Sequence, residues 1–120
     1  MVKSNYRNGD NATTVSFIFN SKEKASDFAE TDGINGWLPI NSDKHVYSNW
    51  DPVISKRGAF NKYMNPFNMQ RNKKINVNYT KEMCPRTLDI LSRTVNISIN
   101  PDWSEGKVSE IIQAAKLFRK

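Results

Sequence analysis

The chain has 120 residues, of which 38% are hydrophobic, 18 are Lys or Arg and 12 are Asp or Glu, for a net charge of +6. That length fits one domain, and the modest hydrophobic content fits only a thin core. No run approaches the ~18 apolar residues that cross a bilayer, MVKSNYRNGD lacks the apolar stretch of a secretory signal, and Cys84 with His45 as the sole His can form neither an internal disulfide nor a Cys-based zinc site.

The expected compartment is the cytoplasm, with no membrane partner and no metal. A pI near 9.6 permits contact with anions. The basic residues are spread along the whole chain, however, with Arg71, Lys73 and Lys74 the densest cluster. A nucleic-acid module concentrates its charge on one face, so nucleic acid is not the expected partner. Asparagine occurs 15 times, which fits an A/T-rich coding bias as well as any structural need.

Residues 1–12 are polar and without period, a linker or a truncated edge. TTVSFIFN (13–20) places Val15, Phe17 and Phe19 on one face of a strand. Ser21 can cap a helix over 21–32, with Ala25, Phe28 and Ala29 as its buried stripe and Asp32-Gly33 as its end. INGWLPI (34–40) is a second strand, confined to an edge or ended by Pro39. Cys84-Pro85 opens a helix over 85–93, since Pro suits the first helical position. TVNISIN (94–100) alternates strictly, with Val95, Ile97 and Ile99 on one face. Asp102 and Glu105 have the spacing of a capping box, and the helix over 104–118 carries Val108, Ile111, Ile112, Ala115 and Phe118. The expected fold is α+β: a small, mostly antiparallel three-stranded sheet with helices packed on it.

Residues 41–83 show little period yet hold Tyr47, Trp50, Phe60, Tyr63, Met64, Phe67, Met69 and Tyr79. Structureless loops beyond ~12–15 residues are rare in compact domains, and disordered segments are poor in aromatics. This reads as an excursion, partly ordered alone, whose apolar groups pack on a surface outside the chain. Trp37, Trp103 and Phe17 read as core.

No catalytic constellation is visible: no Gly-rich phosphate loop, no HExxH, no telling Cys–His spacing. His45 reads either as a loop residue with an ordinary hydrogen bond or as a ligand-side His among aromatics. Arg57 reads either as a solvated turn charge or as a bidentate carboxylate partner. Cys84 reads as an inert thiol at a helix cap.

Three stretches then carry a resemblance: GINGWLPINSDKHVYSNWDPVISKRGAF, NPFNM and YTKEMCPRTLDILSRTVNISINPDWSEGKVSEII. Over residues 13–120 the chain resembles the C-terminal small domain of StrS/DegT-type sugar aminotransferases, pyridoxal-phosphate enzymes of the aspartate-aminotransferase fold. The His45–Phe60 and Met83–Trp103 runs resemble the branch that makes 8-amino-Kdo, a sugar acid of lipopolysaccharide.

The resemblance implies a homodimeric enzyme moving an amino group from glutamate to an aldehyde or keto sugar such as 8-oxo-3,8-dideoxy-manno-octulosonate. The Schiff-base lysine and most of the pyridoxal phosphate site lie in a large domain outside this chain. No catalytic residue, cofactor binding or activity is therefore expected of the chain alone. It implies substrate-side positions for His45, Tyr47, Asn49 and Trp50, with Arg57 suited to the sugar-acid carboxylate. The helix over 21–32 is shorter than its family counterpart. The other readings are a small basic module for RNA or anionic glycan and an interaction domain without ligand.

Overall fold

A computed structural model describes residues 13–43 and 45–118. The expected linker over 1–12 lies outside the described residues. Strand β1 (Thr14–Ile18) pairs antiparallel with strand β2 (Thr94–Ser98), Phe17 facing Val95 and Val15 facing Ile97. Between and after them run helices α1 (Lys22–Ala29), α2 (Asp51–Ile54), α3 (Pro85–Ser92) and α4 (Glu105–Phe118). The class is α+β, as the patterning predicts.

The sheet has two strands, where the alternation predicts three. The third shrinks to a single antiparallel bridge, in which Trp37 and Asn96 exchange N–H···O bonds of 2.9 and 2.8 Å. Pairing cannot extend in either direction. Asn35 has a φ of +50°, which bends the chain before the bridge, and Pro39–Asn41 turns into a 3₁₀ helix after it.

Strict alternation puts Val95 and Ile97 of β2 into the core, where they meet Ala25, Phe28, Ala29 and Ile34. The stripe predicted on α1 is the one buried. Ser21 caps it by accepting the Lys24 N–H, but the helix stops at Ala29. Gly33 takes its left-handed φ of +84° in the turn beyond. Phe28 gathers Phe17, Phe19 and Phe118 at ring separations of 5.3, 4.9 and 5.1 Å. These tilted and edge-on contacts suit the ring quadrupoles. Trp103 packs at this margin, whereas Trp37 is 38% exposed and is not a core residue. The predicted Asp102 cap also fails. Asn100 Oδ1 takes the Asp102 N–H into a turn, so Ser104 becomes the cap of α4 and accepts from Lys107.

Arg93, between α3 and β2, latches these elements together. Its guanidinium forks onto Asp89 and donates to the Phe19 carbonyl at 2.6 Å, while its own carbonyl accepts from Phe19 N–H. The guanidinium beside it holds the Asp89 carboxyl below its ordinary range. A lowered carboxyl stabilises the fold above its unfolded-state range, and that contribution is lost as pH falls through the folded value. Urea midpoints of the native chain are therefore expected to drop on acidification through this window, with a smaller drop in Asp89→Asn.

The core is small for the chain. A compact protein of 13.8 kDa exposes about 6,600 Å², and this one exposes 9665 Å². Its radius of gyration is 19.5 Å, against about 14 Å for a compact domain of this length. Neither α3 nor α4 has a fully buried residue, and Ile90, Val108 and Ile112 remain exposed.

Gly36 marks the tightest approach in the core, since a Cβ there would lie 2.6 Å from Val95 Cγ1 and 3.2 Å from Ala29 Cα. Gly36→Ala is expected to cost about 1–3 kcal/mol by overpacking, read as a lower urea midpoint with an unchanged slope.

Candidate functional site

The excursion is built from turns rather than from long elements. Tyr47–Asn49, Pro66–Asn68 and Gln70–Asn72 are single 3₁₀ turns, and α2 is one turn of α-helix. Its base is tied twice. The Trp37–Asn96 bridge holds one end. At the other, the Tyr47 hydroxyl donates to the Lys81 carbonyl at 2.7 Å and accepts from the Cys84 N–H at 2.9 Å. That second bond satisfies an N–H at the start of α3, where helical partners are missing. Val46, 1% exposed, plugs the segment from within.

Farther out, asparagine amides replace the missing ladders. Asn65 is 7% exposed and makes three bonds: its Nδ2 donates to the Lys56 carbonyl, and its Oδ1 accepts from the Gly58 and Phe67 N–H groups. Asn68 donates to the Lys62 carbonyl and Asn72 to the Pro66 carbonyl. Lys56 takes a φ of +54° to enter this loop. Short amides can bond nearby backbone in non-helical conformations, which is the structural use of this composition. The asparagines here are fastenings.

Of the five residues expected on the substrate side, Asn49 and Trp50 line two adjoining hollows and Arg57 is joined to that site through Asp51, whereas His45 and Tyr47 do not line these hollows. His45 is exposed, its ring 6.4 Å from that of Trp37. Both hydrogen-bonding capacities of the Tyr47 hydroxyl engaged here go to backbone. Asn49 and Trp50 do come together, beside two adjoining hollows. One, of ≈ 370 Å³, is lined by Asp43, Ser48, Asn49, Asp51, Ile54 and Lys81. The other, of ≈ 390 Å³, is lined by Asp43, Asn49, Trp50, Pro52 and Val53. Arg57 stands by this site through an ion pair with Asp51, in which both side chains are about two-thirds exposed. Such exposed pairs contribute little and are readily exchanged.

Asp43, Asp51 and Lys81 were not singled out by the sequence reading. Asp43 and Asp51 stand close to the predicted residues, but nothing marks them as lining. Lys81 arrives from far along the chain through the Tyr47 tie, and no local spacing signals it. Chemically the hollows offer carboxylates and an amide that accept hydroxyl protons, one ammonium and the face of Trp50. That set suits a polyhydroxylated ligand.

Among the described residues no group of three or more His, Cys, Asp or Glu is placed to hold a metal, and no helix is long and apolar enough to cross a membrane. Compared with protein-family models, with curated proteins and with solved structures, the chain matches none.

Two substitutions test this construction. Tyr47→Phe removes both hydroxyl bonds and is expected to cost about 1–3 kcal/mol, with faster amide exchange at Cys84. Asn65→Ala strands three backbone groups and is expected to cost the 56–68 loop about 2–4 kcal/mol, read as accelerated limited proteolysis there while the β1–β2 amides stay protected.

Proposed function

We propose that this chain is the small domain of a pyridoxal-phosphate-dependent sugar aminotransferase of the StrS/DegT type, acting on an aldehyde sugar acid related to 8-oxo-Kdo with glutamate as amino donor. The observation that carries the reading is the juxtaposition of Asn49 and Trp50 with Asp43, Asp51 and Lys81 around two adjoining open hollows. Asn49, Trp50 and Asp51 lie within the His45–Phe60 run that resembles the sugar-acid branch, with Asp43 just before it and Lys81 just before the Met83–Trp103 run. Hydroxyl groups of a sugar chain would bond the carboxylates and amide, the ring of Trp50 would cover an apolar sugar face, and Lys81 would offer a cation to the acid group. Arg57 would reach that group only by leaving Asp51.

On this reading the cofactor is held by the large domain. A lysine that forms a Schiff base is ordinarily desolvated, which lowers its pKa, and none of the described lysines is buried. The cofactor supplies the electron sink for amino transfer. The residues here would orient the sugar and exclude water from one side once a large domain closes the other.

The test is reconstitution. Mixed with the large domain of an 8-amino-Kdo transaminase prepared without its own small domain, the chain is expected to form a stable complex that moves an amino group from glutamate to the aldehyde sugar acid. The chain alone, given pyridoxal phosphate, is expected to show no Schiff-base absorbance. Failure to associate, or a complex without amino transfer, would refute the proposal.

A further inference from the structure

The acidic residues are distributed less evenly than the basic ones. From Pro52 to Lys81 there is no Asp or Glu, while Lys56, Arg57, Lys62, Arg71, Lys73, Lys74 and Lys81 all fall inside. The net charge of the whole chain, +6, is smaller than that of this stretch, so the remainder is slightly acidic. Arg57 meets Asp51 just outside the stretch; the other six have no carboxylate within it to neutralise them.

The same stretch holds the most exposed apolar side chains of the excursion. Phe60 is 109% exposed, Tyr63 79%, Met64 68% and Ile75 61%. The Phe60 ring is thus fully exposed. Exposed rings on a mobile loop would need no account, but these are carried on turns fastened by Asn65, Asn68 and Asn72. Their presentation is therefore already ordered, and ordering entropy is a main cost of association.

We infer that residues 52–81 form a docking face for an acidic protein surface, with Phe60, Tyr63 and Met64 as its apolar anchors and the lysines and arginines as its charged surround. The inference rests on the aminotransferase reading and adds the chemistry of the missing body: the large domain presents carboxylates and apolar recesses to this stretch. Aromatic and Met anchors amid charges that match the partner's potential are the usual anatomy of a specific interface.

Two other anionic partners fit less well. Single-stranded nucleic acid needs open ring faces on which bases stack. Here Phe60 alone offers an open ring, too few for successive bases: Lys62 Nζ lies 5.1 Å from the Tyr63 centroid and covers one face, and Phe67 and Tyr79 are turned edge to face at 6.0 Å. A lipid surface is met by a compact apolar patch with cations behind it. Here the exposed apolar groups run from Phe60 to Ile75 with cations interleaved.

The experiment measures the affinity of the chain for the same isolated large domain by titration calorimetry across salt. Between about 50 and 500 mM NaCl the affinity is expected to fall about tenfold or more. Lys73→Glu with Lys74→Glu is expected to weaken binding about tenfold at low salt and to flatten the salt dependence. Phe60→Ser is expected to weaken it about tenfold with the salt dependence kept. Lys22→Glu with Lys24→Glu, on α1 and outside residues 52–81, is expected to change neither.

A complex indifferent to salt and to these substitutions would overturn the docking face while leaving the aminotransferase reading intact. No complex at all would overturn both. Tighter binding to mixed-sequence RNA, or to vesicles of anionic phospholipid, than to the large domain would also overturn the inference.

Discussion

The backbone of β2 is the constraint on which the molecule depends. It is paired on both sides, by β1 along its length and by Trp37 at Asn96, and its inward residues Val95 and Ile97 form the floor of the core. Because Asn96 also accepts the Ser16 hydroxyl through its side chain at 2.7 Å, one residue is fixed by three hydrogen bonds, two to Trp37 and one to Ser16. The chain from Trp37 to Thr94 is thus an excursion with a clamped base. Arg93 locks the return by tying the end of α3 to Phe19.

That arrangement divides the physical work. The sheet, α1 and the edge of α4 bury the Phe28 cluster and supply a small hydrophobic core. The excursion contributes almost no buried apolar residue beyond Val46. It is organised by hydrogen bonds, each of modest net worth and costly when left unmade. The described residues hold no buried side-chain polar atom without a partner. A chain built this way can keep its excursion ordered and leave its rings outside, a pattern that fits association with another body better than an isolated life.

Much of the framework was legible in the sequence because it obeys simple periods. The alternation of 94–100, the i, i+3, i+4 stripe of Ala25, Phe28 and Ala29, and Pro85 at the start of α3 all lead to the elements found. The third strand was misread because alternation in INGWLPI says nothing of the φ of Asn35 or of the 3₁₀ turn at Pro39. The cap of α4 was misread because Asn100 competes for Asp102. Around the hollows, Asn49 and Trp50 were visible as a local cluster. Lys81 and the pin at Asn65 were not, since both act across loops whose paths depend on tertiary hydrogen bonds. The asparagine content looked like composition, and in the excursion it is architecture.

The central claim is that the exposed side chains of this excursion form an apolar face made to be covered by protein. The most direct measurement is the heat-capacity change on titrating the chain with the large domain of the proposed aminotransferase, since burial of apolar surface makes it negative. The account predicts a clearly negative value, on the order of hundreds of cal/mol/K, that shrinks when Phe60 and Met64 are made polar. A complex that forms with a heat-capacity change near zero would contradict it.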